Sequence, residues 1–353
     1  MTRRTRHIAI WTGLVLVVGV TLGAALTMWL SAPAVTPEEH RYGLVDNFEE
    51  EAAPIIATHP PFQLVDAEGR EVVQDNANAN VRFWEVWAKN GLNVPPNYPQ
   101  QVGDCTSFSG KNAIENRQGI EIGEGKAIRF RQVFPPFLYG VGRVQVGKGK
   151  VRGDGAVVAW VVQGMRDHGI LFADDDGVPA YSGAVAREWG LKGPPQRFLD
   201  IAKARRAKTI APVRTAAQAR DAICNGYPVL IGSRFGSTDI RERDGRMVAR
   251  KNTEWAHAMC VIGYDGTGAT DYFCVLNSWG ESAHPAPLQG EPRGSFWVTF
   301  ADADREIFQP GDCWSVTDLD GFVENQIDIN VFGANDRPAP RGVASLRKTG
   351  VAL

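Results

Sequence analysis

A chain of 353 residues with 44% hydrophobic and 22% charged side chains is long enough for one large or two ordinary domains, and apolar enough to build a core without covalent staples. Its 38 basic and 40 acidic residues leave a formal net charge of -2, which offers no electrostatic footprint for nucleic acid, so no such partner is expected. Five cysteines in this length do not make a disulfide framework, and the odd count leaves at least one free thiol.

Residues 1–7 are basic, with Arg3, Arg4 and Arg6, and residues 8–30 carry no charge. About 20 apolar helical residues cross a hydrocarbon layer about 30 Å thick, so 8–30 reads as a transmembrane helix in a lipid bilayer, with Trp11 and Trp29 near its ends. A cleaved signal peptide is the alternative, because Ser31, Ala32 and Ala34 suit a signal peptidase, but an h-region usually has only about 7–15 residues. Either way the basic end stays in the cytoplasm as residues 1–7, and the rest is expected on the extracytoplasmic side, anchored or secreted. Residues 31–79 turn to Pro, Glu, Asp and Asn with little helical periodicity, and are expected to form a polar tether.

The chemistry begins at Gln100-Gln101-Val102-Gly103-Asp104-Cys105-Thr106-Ser107-Phe108-Ser109-Gly110. A glycine just upstream, a cysteine at a loop-to-helix junction and small residues one turn later predict a thiol at a helix N-terminus. Free N–H groups and the positive end of the helix dipole favour a thiolate there, lowering the pKa from about 8.5 toward roughly 3.5–7.5 when a cation is also close.

Farther along, apolar Val157, Val158, Val161, Val162 and Met165 paint one face of a helix over 154–168, with Asp154 as its expected cap and Gly169 at its end. Pro194-Pro195 opens a second helical stretch with a solvated basic face. Thr215-Ala216-Ala217-Gln218 is a capping box whose helix Gly226 stops, and Tyr227-Pro228-Val229-Leu230-Ile231 follows as a strand. Residues 237–253 read as a loop or exposed hairpin. Two β-branched, apolar strands then carry His257 at the start of one and Asn277 at the end of the other. Of the six histidines, only His257 combines a strand with an asparagine downstream; His284, in Ala283-His284-Pro285, reads as part of a loop. The acidic runs at 174–177 and 318–321 lack a closing glutamate and read as turns, so no metal is expected. Cys260 and Cys274 read as small buried thiols, with a bridge left open.

The order Cys, His, Asn resembles the papain-type cysteine peptidases. The likeness rests on Gly103, Cys105, Phe108, Ser109, Gly110, Ile114 and Glu115, on His257, Ala258, Gly263 and Tyr264, and on the run Asn277-Ser278-Trp279-Gly280. It implies an α+β, two-lobed fold over 80–325, with a mainly helical lobe (80–210) carrying the cysteine, a β-barrel-like lobe (211–325) carrying the histidine and asparagine, and an arm at 326–353. It implies peptide or protein substrates and no cofactor. Cys105 would attack, His257 would stabilise the thiolate and protonate the leaving amine, and Asn277 would orient the ring under Trp279. Gly155 and Ala256 would line the substrate groove. The family's oxyanion glutamine lies six residues before the nucleophile, where Pro99 stands here, so Gln101 or else Gln100 is expected to serve, with Gln101 preferred. A peptide-binding scaffold with little or no turnover, or another Cys-His acyl-transfer enzyme such as a cell-wall amidase, are the alternatives. A helical inhibitory segment before the peptidase domain is not expected.

Overall fold

The computed structural model describes residues 42–64, 70–126 and 129–316, so the expected anchor at 8–30, the run 318–321 and the arm at 326–353 lie outside the described residues. Among the described residues no helix is long and apolar enough to cross a membrane. The fold is α+β and papain-like: helices fill the first half and strands the second.

The first half is built around α3 (Cys105–Gly123), which follows α1 (Phe48–Ile56) and α2 (Phe83–Lys89) in the chain. It is buried on nearly every side, so its charged residues need partners. Lys111 pairs with Glu115 at 2.7 Å and Arg117 with Glu121 at 3.3 Å, both at helical i,i+4 spacing. Around it lie α4 (Pro135–Gly140), which runs into a π-helical turn (Val141–Val146), and α5 (Val158–Asp167). Then come α6 (Gly183–Lys192) and α7 (Gln196–Ala202), the latter opening directly after Pro195 as expected.

The second half is a nine-stranded sheet whose central strand is β6 (Thr253–Asp265). One edge of β6 pairs antiparallel with β3 (Val229–Gly236), setting His257 opposite Ser233, and farther on with β1 (Asn80–Arg82). Its other edge pairs with β7 (Tyr272–Leu276). Strands β2 (Ile210–Pro212) and β9 (Asp312–Val316) extend the sheet beyond β3, and β8 (Ser295–Thr299) extends it beyond β7. The stretch 237–253 proves to be mainly a hairpin, β4 (Asp239–Arg243) and β5 (Arg246–Arg250), closed by Asp244-Gly245 and joined to β8 by one parallel bridge. Residues 80–82, expected only as the start of the helical lobe, thus belong to the sheet.

Thr215 caps α8 (Ala216–Cys224) as expected, its hydroxyl accepting the Gln218 N–H, and Gly226 beyond the helix takes a φ of +78°. Asp154, by contrast, caps nothing. Helix α5 begins only at Val158, and the Asp154 carboxylate instead accepts the Gly103 N–H at 3.3 Å and pairs with Arg187 at 3.2 Å. The open N-terminus of α5 is served from the sheet: Asp312 of β9 accepts the Ala159 N–H at 2.9 Å and the Trp314 ring N–H at 2.6 Å. Burial pushes the Asp312 carboxyl up to about 6.

The expected tether is the largest correction. Residues 42–64 are folded onto the domain, with Leu44, Phe48, Ala52 and Phe62 buried, and the Phe62 N–H donates to Pro212 O at 2.8 Å. Phe48 and Ala52 lie one helical turn apart on the buried face of α1, and the acidic Glu49, Glu50 and Glu51 occupy its first turn where they complement its dipole. Composition pointed to a solvated linker, whereas position placed each acid at a helix start.

Asp312 joins the two halves, so replacing it should cost global stability. Asp312→Ala is expected to lower unfolding free energy by about 1–3 kcal/mol, leaving the Ala159 and Trp314 donors unpaired, as a shift of the urea midpoint at unchanged slope.

Candidate active site

Cys105 is the first residue of a 19-residue helix, and its sulfur rests against the sheet, accepting the Ala258 N–H at 3.4 Å. The packing of α3 on β6 creates this contact, and Ser109 one turn later donates to Met259 O. His257, the neighbour of Ala258, directs its ring Nε2 to Asn277 Oδ1 at 2.8 Å. Its other nitrogen, Nδ1, is buried and has no partner among the described residues. The three groups singled out in the sequence therefore lie together, where α3, β6 and the end of β7 meet.

Trp279 covers the imidazole, with ring centroids 4.6 Å apart and planes 30° from parallel, and Trp255 packs on Trp279 at 4.8 Å. An aromatic lid of this kind keeps water from the His257–Asn277 hydrogen bond. Beneath the nucleophile, Asp104 is fully buried and takes a hydrogen bond from Tyr181 at 3.2 Å. Burial pushes its carboxyl well above the usual carboxylate range, and its nearness is a lesser cause, after burial, of the raised Cys105 thiol.

The two stretches expected to line a groove, at Gly155 and at Ala256, are bridged by residues 43–45. Val45 N–H donates to Ala156 O at 3.2 Å and Ala156 N–H to Gly43 O at 2.9 Å, while Leu44 N–H donates to Ala256 O at 3.1 Å. Gly155, at a φ of +115° that favours glycine, abuts Val45. Residues 43–45 thus run as a short strand between the 155–156 wall and Ala256. Leu44 is buried over Gly232 and beside Val158, and Tyr42 sets its ring edge-on to His257 and Trp279. Arg143 and Tyr139 brace the wall from behind: the Tyr139 hydroxyl accepts the Gly155 N–H, and Arg143 donates to Gly155 O.

Under this cover both reacting groups are fully buried. Burial pushes the Cys105 thiol up to about 12 and the His257 imidazole down to about 4. The ion pair expected from the sequence is therefore not the state of the covered site. Without water, two neutral groups cost less than two charges.

The glutamines separate in the same way. Gln101, the preferred oxyanion donor, is exposed, its carbonyl accepting the Gly183 N–H at 2.9 Å at the start of α6. Gln100 is buried, held by Ser278 through its carbonyl at 2.6 Å and donating to Val102 O at 2.9 Å. Gln100 thus lies beside the Asn277-Ser278 segment and Gln101 does not. Gly103 is pressed between Tyr42 O and Asp154, where a Cβ would come within 3 Å of both. Asp174 and Asp175 are engaged by Arg129, Arg131 and Arg205. The five cysteines are all buried and none is joined in a disulfide. His284, read from sequence as a loop residue, sits 2.8 Å from the Asn277 amide nitrogen. No sequence signal marked it, because the contact depends on how the 280–294 loop folds back.

Residues 195–285 match the model of the papain family of cysteine proteases, a span that holds His257 and Asn277 but not Cys105. Among solved structures, proCathepsin B S9 from Trypanosoma congolense aligns with a TM-score of 0.51 at 11% identity, over 80% of this chain and 90% of that one. Digestive procathepsin L2 from Tenebrio molitor larval midgut aligns with a TM-score of 0.50 at 18% identity, over 80% and 81%. Xylellain, a cysteine protease from Xylella fastidiosa, gives 0.49 at 17%, over 79% and 96%. No curated protein matches the sequence significantly. At these identities the structures speak for the fold alone. The family match covers 195–285, about a quarter of the chain, and the fold is papain-like, so the chain is similar to the papain family of cysteine proteases and far diverged in sequence from the solved examples.

The shifted groups set a pH window for the covered state. His257 is depressed, so its contribution is present above its ordinary value of about 6.5 and fades as pH falls toward 4. Cys105 is raised, so its contribution is present below about 8.5 and fades as pH rises toward 12. An uncovered thiolate–imidazolium pair holds one proton, as the neutral covered pair does, so alkylation of Cys105 by iodoacetamide in the full chain should be slow and nearly flat between pH 5 and 8. A free thiol slows about tenfold for each pH unit of acidification below its pKa, and a rate that falls in that way would contradict the assignment.

Proposed function

We propose that this protein is an exported cysteine peptidase held latent by its own residues 42–45. The carrying observation is the short strand at 43–45, hydrogen-bonded to Ala156 on one side and Ala256 on the other, with Gly43 against Gly103 and Tyr42 edge-on to His257. It occupies the line along which a peptide substrate would lie, and its Leu44 fills the place of a substrate side chain, which favours peptides with an aliphatic residue there. Export and anchoring are supported by the basic residues 1–7 and the uncharged stretch 8–30.

Once residues 42–45 leave, water reaches the pair and the helix N-terminus favours the thiolate. Cys105 gives its proton to His257 Nδ1, the nitrogen not engaged by Asn277, and the sulfur attacks the scissile carbonyl carbon. The Cys105 N–H, with Gln100 rather than Gln101, stabilises the oxyanion. The imidazolium then protonates the leaving amine as the C–N bond breaks, leaving a thioester on Cys105. Water, deprotonated by His257, hydrolyses the thioester and restores the thiol. Asn277 holds the ring in the required tautomer throughout.

The neutral, covered pair also fits a peptide-binding scaffold without turnover, and one substitution separates the two. At residue 43 a Cβ would stand 2.2 Å from Gly103 O and 2.8 Å from Gly103 Cα, so alanine there cannot keep the segment seated. Gly43→Ala in the full chain should raise both Cys105 labelling, mapped by mass spectrometry, and peptide hydrolysis by about tenfold or more, as overpacking costs of about 1–3 kcal/mol imply. Adding Cys105→Ala or His257→Ala should abolish the hydrolysis. Faster labelling with no cleavage of a peptide library would leave the scaffold reading standing instead.

A further inference from the structure

Asn277 stands between two histidines. Its Oδ1 lies 2.8 Å from His257 Nε2 and accepts the Ser278 backbone N–H at 2.7 Å. A backbone N–H can only donate, so that contact fixes which end of the amide is oxygen. The amide nitrogen then faces His284 Nε2 at 2.8 Å. An amide nitrogen can only donate as well, so His284 Nε2 is the acceptor: a bare ring nitrogen in a neutral imidazole whose proton is on Nδ1.

We propose that His284 is a positioning residue for the peptidase reaction, a neutral imidazole that accepts from Asn277 and so keeps the amide oxygen turned to His257. The inference rests on the reading of Cys105, His257 and Asn277 given above. Aromatic neighbours hold the ring in place: it lies nearly parallel to Trp255 with centroids 6.4 Å apart, edge-on to Phe296 at 5.0 Å, and 5.9 Å from Trp279. Trp279 also covers His257, so one aromatic wall restrains the two imidazoles on either side of one amide.

The chemistry explains why an acceptor is needed there. If the amide turned over, its nitrogen would face His257 Nε2, and that nitrogen would have to accept. A base that must carry protons on both nitrogens during catalysis could not form in that arrangement. The turn would also forfeit the Ser278 N–H bond. A proton on His284 Nε2 would set two donors against each other and push toward the same failure. His257 is the titratable group facing His284 across Asn277, and a charge on one disfavours a charge on the other.

The test uses the full chain carrying 15N-labelled histidine, with long-range proton–nitrogen spectra at pH 7.5. His284 should show a bare Nε2 and a protonated Nδ1, and His257 a protonated Nε2 that exchanges slowly with water. His284→Phe keeps an aromatic ring in the box but no acceptor, while His284→Gln restores a carbonyl. In His284→Phe the His257 Nε2 proton should exchange about three- to tenfold faster, the weight of one hydrogen bond, with His284→Gln recovering most of the difference. Placed on Gly43→Ala, the same pair should lower kcat by a similar factor at unchanged KM and then restore it. A proton on His284 Nε2 in the wild type, or exchange and kcat unmoved by His284→Phe, would overturn the proposal. Should Gly43→Ala itself turn over no peptide, the peptidase reading fails, while the exchange measurement still decides the His284 contact.

Discussion

The hydrogen bond between His257 and Asn277 is strong because it is dry, and keeping it dry is the constraint that the rest of the structure serves. Trp279 and Trp255 close it from one side, and α3 packs beneath it with Cys105 at the tip. A bond of this kind in bulk water would hold the imidazole weakly. The same dryness has a cost: the pair it serves cannot remain charged when fully covered. Residues 42–45 exploit that conflict, since the cover that excludes water also returns Cys105 and His257 to their neutral forms.

The proposed latency is therefore electrostatic as well as steric. The segment is held by a few main-chain hydrogen bonds, each worth about 0.5–1.5 kcal/mol net. Those bonds alone would make a loose plug. Burial of Leu44 adds apolar area, and the close approach of Gly43 to Gly103 lets the strand sit deep enough to seal the sulfur from solvent. Asp312, Arg143 and Tyr139 act at one remove, fixing the start of α5 and the glycine-containing wall against which the segment lies.

The site also shows how a neutral amide can be given direction. An asparagine can present either end to an imidazole, and a single contact does not choose between them. Here the Ser278 N–H on one side and His284 on the other make the same choice. This division of labour places a loop residue, without any motif of its own, behind the catalytic strand.

The sequence alone determined the parts whose physics is local. The helix start at Cys105, the capped helix at 215–224 and the strands carrying His257 and Asn277 all follow from caps, turns and periodicity within a few residues. Chain order and the Asn277-Ser278-Trp279-Gly280 run were enough to show the resemblance to the papain family that the match over 195–285 shares. What needed the tertiary structure were contacts between distant segments: Asp312 capping a helix from the far end of the domain, Asp154 bound to Gly103 instead of α5, and Gln100 rather than Gln101 beside Ser278. The charge state of the site belongs to that group as well, because a pKa depends on how much water the fold leaves around a group. Residues 42–64 depart from expectation for a related reason. Their composition is that of a solvated linker, and only the surfaces that bury Leu44, Phe48, Ala52 and Phe62 make folding them worthwhile.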